Sequence, residues 1–284
     1  MARRFEGMNA IVTGASRGIG AATARRLAAE GANVAITART VDQHDKLAGS
    51  LRETAEAMAP FGGKVALIAA DMANEEDRAR IVPEAVDALG GPIDILVNNA
   101  AAAMYSSMLD YPLRRRRIMF EINVHGPIDL AQAVIPSMRE RGRGWIVNVS
   151  SATARHADGP PFRTAGVATV IGVYGASKAA LNRVTNAFAV ELYGTGIRIN
   201  TVEPRAAVMS EGAEALVGGI VNDEQIESME AMVESIVALC ECEPERTGKV
   251  HVSLDLLDEL GRTVMTLDGS APYPGGQRVW RGDA

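Results

Sequence analysis

Val12-Thr-Gly-Ala-Ser-Arg-Gly-Ile-Gly20 is the stretch whose reading decides the fold. A β-branched run closing on Thr13 meets glycines at 14, 18 and 20, and an alanine-rich helical pattern follows. Each glycine has a steric reason to lack a side chain: a tight turn, backbone approach to a pyrophosphate, and close packing of helix on strand. The helix N-terminus then attracts the anion. A glycine triplet alone marks many ordinary turns, so the weight lies on strand, turn and helix falling in the required order.

Outward from this turn, short apolar runs alternate with helical patterns. Ala10 to Thr13, Val34 to Thr37, Val65 to Ala69, Ile93 to Val97, Trp145 to Val149 and Ile197 to Val202 read as buried strands of a parallel sheet covered on both faces. Helices are expected to begin near Gly18, Asp42, Asn74, Pro112 and Val173. The predicted fold is α/β, a Rossmann-type doubly wound parallel sheet in a single domain spanning 1–284. After Val202 the rhythm breaks, with a helical stretch around Asp223 to Cys240 and a last strand near Val264 to Leu267. Residues 206–262 are expected to form a substrate lid and C-terminal appendage, with Gly218-Gly219 as a hinge.

The chain has 284 residues, 47% of them hydrophobic and only 4% aromatic, which suits an Ala/Val/Ile-built α/β core. A formal net charge of −6 disfavours a general affinity for nucleic acid or an anionic membrane. Only two cysteines occur, Cys240 and Cys242, too close in sequence for an unstrained bridge. With no apolar stretch near the roughly 18 residues of a membrane span, a cytoplasmic location is the expectation. The cysteines with His251 lack tetrahedral spacing, so no metal site is expected. His44, His125 and His156 assemble no nucleophile triad.

Two features point to chemistry. Arg39 lies 19 residues beyond Gly20, where an acidic residue would hold the ribose 2′-hydroxyl of NAD and an arginine accommodates the 2′-phosphate of NADP. Arg17 inside the turn supplies a second guanidinium for the same phosphate. NADP(H) is therefore the expected cofactor and NAD(H) the second choice; solvated arginines are the bland alternative. Tyr174 and Lys178 stand four apart in Val173-Tyr-Gly-Ala-Ser-Lys-Ala-Ala-Leu181, on one helical face, where an ammonium favours the phenolate and lowers its pKa. Hydride arriving at a carbonyl carbon leaves an alkoxide, so donors must face the oxygen and a proton must follow.

Thr13-Gly-Ala-Ser-Arg-Gly-Ile-Gly20, Asn98-Asn-Ala100, Asn123-Val-His-Gly126, Val149-Ser-Ser151 and Tyr174-Gly-Ala-Ser-Lys178 occur in this order. On these strings the chain resembles the short-chain dehydrogenase/reductase family over roughly residues 6 to 205, with Asp268-Gly269 near the end. The resemblance implies that Ser151 hydrogen-bonds the substrate oxygen, that Tyr174 donates the proton, and that Lys178 holds the nicotinamide ribose. It implies that Asn123, in a kinked helix, holds a water linking Lys178 to solvent. Implied cofactor contacts are Gly14, Ser16, Arg17, Gly18, Ile19 and Gly20 in the turn, then Arg39 and Thr40, and Asp71 and Met72, with Asp71 meeting the adenine amine. Asn98, Asn99 and Ala100 are implied on the adenosine side, and Pro204, Tyr174 and Lys178 near the nicotinamide. A homodimer or homotetramer acting on a small carbonyl or alcohol is also implied.

Three departures stand out. Ser151 and Tyr174 are 23 positions apart, against about a dozen in the family, so the added stretch either shapes a pocket or is a surface insertion. Ala101 replaces the usual glycine after Asn-Asn-Ala. Arg205 follows Pro204 where a glycine is usual, and either binds an anionic substrate group or faces solvent. The run Arg114 to Arg117 reads as a solvated face, with an acidic carrier or CoA phosphate as the second reading. An epimerase or dehydratase is the runner-up enzyme, disfavoured by the glycine spacing and the lack of a sizeable second domain. A nucleotide-sensing binding protein without turnover is the reading from another class.

Overall fold

The computed structural model of the chain describes residues 3–42, 48–162, 166–217 and 226–275. Seven strands form one sheet: β1 Asn9–Thr13, β2 Asn33–Ala38, β3 Val65–Ala69, β4 Ile95–Asn98, β5 Gly144–Val149, β6 Ile197–Glu203 and β9 Val250–Val252. Their order is β3-β2-β1-β4-β5-β6-β9, and every pairing is parallel. The chain winds outward from β1 to β3, then returns to the middle at β4 and winds the other way. Such a reversal opens a crevice beyond the carboxyl ends of β1 and β4, where ligands of doubly wound sheets bind.

Alternation along each central strand divides the core. Val12, Val34, Ile36, Ile95 and Val97 pack on one face with α1 (Gly18–Ala29), α2 (Leu51–Met58) and α8 (Met229–Leu239). Ile11, Ala35, Leu96 and Ile146 pack on the other with α3 (Glu75–Leu89), α5 (Gly126–Arg141) and α6 (Gly172–Glu191). Both faces are dry, which is why the strands read as continuous apolar runs. The remaining helices are α4 (Leu113–Phe120), α7 (Glu211–Val217) and α9 (Ser253–Glu259), and a two-residue pair, β7 Ala207–Val208 with β8 Ile226–Glu227, lies outside the main sheet.

The six strands predicted up to Val202 stand, with boundaries shifted by a residue or two, and two expectations change. The helix expected near Asp42 begins at Leu51, because the Ser50 side chain caps it by accepting from the Glu53 amide. Residues 43–47 lie outside the described residues. No strand forms at Val264 to Leu267: the segment turns back on itself, with Thr266 donating to the Ala271 carbonyl and Tyr273 to that of Val264. Asp268 closes that turn by accepting from Thr266, from the Ser270 amide and from its hydroxyl. The seventh strand is the short Val250 run, and Val250 to Arg262, which reads in the sequence as a short strand followed by a helix through Leu254, Leu257 and Leu260, forms both. The Gly218-Gly219 hinge falls outside the described residues. Among the described residues, no helix is long and apolar enough to cross a membrane.

Candidate active site

The glycine turn leaves β1 and enters α1. Gly14 and Gly18 have φ of +65° and +56°, the left-handed region that disfavours other residues. A Cβ on Gly14 would lie 2.7 Å from the Ala100 Cα, and one on Gly20 would lie 2.4 Å from both the Asn99 side-chain Nδ2 and the Gly14 carbonyl oxygen. The turn is thus locked against the end of β4. The Asn99 side chain donates to the Thr13 and Gly14 carbonyls, and the Thr13 hydroxyl accepts from the amides of Asn99 and Ala100.

The amino end of α1 faces this cleft without a side-chain cap and without an acidic residue in its first turn. By contrast, α2, α3 and α8 are capped by Ser50, Asn74 and Ser228. Uncapped amide donors beside a left-handed glycine cradle fit the pyrophosphate of a dinucleotide.

A cleft of about 470 Å³ runs along the carboxyl ends of the strands. Its floor is the turn, with Gly14, Ser16, Arg17, Gly18 and Ile19. Arg39, Thr40, Asp71 and Met72 line one end, and Asn99 and Ala100 line the middle. Ser151, Tyr174 and Pro204 line the other end. Of the expected cofactor residues, Gly20 and Lys178 lie behind the wall: Gly20 packs on Asn99, and Lys178 is buried.

Asn98 departs from its expected place on the adenosine side. It is buried inside the sheet and donates to Asn148, which donates in turn to Thr185. Arg17 departs too, since its guanidinium donates to the Ala48 and Gly49 carbonyls, fastening the loop before α2. Arg39 is exposed at the rim.

Tyr174 and Lys178 project from the first turns of α6. The Lys178 Nζ lies 5.9 Å from the Tyr174 ring centroid and donates to the Val149 carbonyl at 2.7 Å. The expected lowering of the phenol by the ammonium does not dominate here. Burial pushes the Tyr174 phenol up to about 12, helped by Tyr105 and opposed by the Ser151 hydroxyl. Burial also pushes the Lys178 amine down to about 8, so the group meant to acidify the phenol is itself disfavoured as a cation.

Asn123 sits in a widened helical turn, Glu121–His125, between α4 and α5. Its side chain bonds both backbone groups of Ala102 and donates to the Ser177 hydroxyl, next to Lys178 in sequence. It ties the loop after β4 to α6.

Four residues that the sequence did not single out also shape the site. Tyr105 meets Tyr174 edge to face at 5.9 Å. Thr153 donates to Ser151 from its amide and its hydroxyl. Ser177 holds Asn123, and Ser210 packs on Gly18, where an added Cβ would meet the Ser210 Cβ at 2.8 Å. Only Thr153, two residues past the serine, had a local signal in an ST-type turn.

Arg205 does not face the cleft: its guanidinium pairs with Asp255, and its amide donates to Glu227 and Ser253. Arg114 to Arg117 are exposed on α4, as both readings of the run require. Cys240 and Cys242 are free thiols, and no cluster of metal ligands occurs among the described residues.

A doubly wound parallel sheet with a glycine phosphate turn and a Ser, Tyr and Lys group at one end of the crevice defines a Rossmann-type oxidoreductase class. The short chain dehydrogenase family profile matches residues 8–216, and the chain belongs to that family. Hydroxysteroid dehydrogenase-like protein 2 of Xenopus tropicalis is 32% identical over 272 residues, covering 96% of this chain and 62% of the relative's length. The chain thus spans under two thirds of that relative. A short chain dehydrogenase structure from Mycobacterium thermoresistibile superposes with a TM-score of 0.77 at 31% identity, covering 90% of this chain and 88% of the other. A metagenomic short-chain oxidoreductase solved in complex with NADP has a TM-score of 0.68 at 26% identity, covering 87% and 97%.

Proposed function

We propose that the chain is an NADP(H)-dependent oxidoreductase that moves hydride between the nicotinamide and a carbonyl or secondary alcohol. The observation that carries this reading is that Ser151 and Tyr174 line the opposite end of the cleft from Arg39 and Asp71, with Lys178 buried behind them against the end of β5. A dinucleotide laid along the cleft supplies the hydride; the chain supplies position and the proton. The glycine turn and the amino end of α1 hold the pyrophosphate, and Arg39 meets the 2′-phosphate. Arg17 contributes through the loop it fastens and its charge near the turn. Lys178 holds the ribose, with Asn123 positioning α6 behind it.

Ser151 and Tyr174 present hydroxyls to the oxygen on which charge develops, and Tyr174 transfers its proton there. NADP preference finds support in the bound NADP of the metagenomic relative. A soluble cytoplasmic homo-oligomer, single-domain with residues 206–262 as lid and appendage, completes the reading. Light scattering tests its assembly.

The test is cofactor consumption over a panel of acetophenone, cyclohexanone, acetoacetyl-CoA, a quinone and a ketosteroid, with NADPH and NADH compared. Turnover with a lower KM for NADPH supports the reading; an NADH preference rejects the NADP assignment. Tight NADPH binding with no turnover on any carbonyl would favour a nucleotide sensor instead.

A further inference from the structure

We propose that Arg155 and Glu203 are a positioning pair that seats the start of the added segment, directly after Ser151, beside the substrate end of the cleft, and so sets how tightly the carbonyl is held. The kinetic part of this rests on the oxidoreductase reading; the structural part does not.

Glu203 is the last residue of β6 and is 1% exposed. A carboxylate placed there is costly unless paired. Among the described residues the cation on it is Arg155, whose Nε donates to Oε1 at 2.8 Å and whose terminal nitrogen donates to the same oxygen. Oε2 is buried without a partner, so the pairing falls on one oxygen. Arg155 comes from the added segment, directly after the short 3-10 turn Ala152–Ala154 that follows Ser151. Its side chain is 59% exposed, so it reaches inward from the protein surface to the buried acid.

The segment is fastened at two further points. A Cβ on Gly175 would stand 2.3 Å from the Thr153 carbonyl oxygen, so the turn bearing Ser151 lies flat against the start of α6. At the far end, Val170 accepts from the Ser106 amide. Glu203 immediately precedes Pro204, which lines the cleft. The pair therefore joins the two flanks of the site, the segment after β5 and the segment after β6, with Ser151 between its anchors.

Two readouts test this. Phe162, in the segment, is 57% exposed and is a chymotrypsin site. In Arg155→Ala, Glu203→Gln and the charge-free Arg155→Met/Glu203→Gln, cleavage there should quicken about fivefold or more at matched global stability, with Arg155→Lys close to the parent. With NADPH and the panel ketone reduced fastest, the same variants should raise ketone KM about tenfold while kcat and the NADPH KM move less than about threefold, and Arg155→Lys should recover most of the loss.

The double variant keeps the test open if a single change leaves a buried charge and prevents folding. Parent-like cleavage at Phe162 in the folded double variant overturns the pair. A parallel rise in the ketone and NADPH KM values overturns its positioning role. If the parent reduces no carbonyl, the oxidoreductase reading fails while the cleavage rates still decide the pair.

Discussion

Tyr174 keeps its proton at neutral pH as an ordinary phenol does, and burial, which pushes it up to about 12, extends that state to higher pH; a protonated phenol is what a carbonyl reduction needs. Alcohol oxidation needs the opposite state, so its kcat/KM should climb with pH from 7 to 10 while reduction stays level; a flat oxidation profile would mean another base. Tyr174→Phe should lower turnover roughly 100- to 10,000-fold and leave NADPH binding within about threefold, checked by steady-state rates and fluorescence titration. Lys178 carries a stability cost as well as a role. With its amine at about 8 when folded and near 10.5 when unfolded, the unfolded chain binds the extra proton between those values, so the parent gains stability as pH rises through that window. Below pH 8 the full cost applies, on the order of 3 kcal/mol. Lys178→Met should therefore abolish turnover while unfolding at equal or higher denaturant at pH 7, the advantage shrinking toward pH 10. The residue types and spacing of Tyr174, Lys178 and Ser151 were readable because they are local. The pKa directions of Tyr174 and Lys178 were not, since the burial that sets them comes from other elements of the fold.

Elements show which signals a sequence carries. The turn after β1 was legible through Gly14, Gly18 and Gly20, and Gly14→Ala should weaken NADPH binding and lower stability, because its φ is left-handed and the Ala100 backbone leaves no space. Binding and melting curves together check this. The added segment was legible only as a length, since its anchor Glu203 lies far along the chain. Val264 to Leu267 misled because its apolar run resembled a strand while Asp268-Gly269 imposed a turn. On β9, His251 is buried with Nε2 unpartnered, and burial with the nearby Arg246 pushes its pKa down to about 4, Glu259 opposing. The unfolded histidine titrates near 6.5, so stability should fall as pH drops from 6.5 toward 4. In His251→Gln that acid-side loss should be smaller; an unchanged slope in denaturant titrations would place the loss elsewhere.

Across the whole molecule, a charge network joins the two ends of the described chain to the core, and nothing in the sequence announced it. Arg26 on α1 donates to Glu234 on α8 at 2.7 Å, 208 residues apart, and both side chains are almost fully buried. Glu30 binds Arg26 and Arg4, while Glu234 and Glu241 bind Arg262. A helical reading sees Arg26 and Glu30 as an ordinary i,i+4 surface pair, because periodicity says which face is apolar but not which distant helix covers it. The parallel sheet was readable from the alternation of strand and helix patterns; this pairing depends on where α8 lands after the winding is complete. Removing Glu234 takes from Arg26 its most buried counterion and leaves it Glu30 alone, and it takes one of the two carboxylates on Arg262, so Glu234→Gln should cost about 3 kcal/mol and several degrees of melting temperature. Removing both charges with apolar residues of similar size avoids that cost, although the Arg26 bonds to Glu30 and the Thr266 carbonyl are lost. Arg26→Met/Glu234→Leu should therefore recover at least half of the loss in thermal unfolding followed by circular dichroism. A double variant as unstable as Glu234→Gln would mean that α1 and α8 are held by the ion pair itself rather than by the apolar contacts around it.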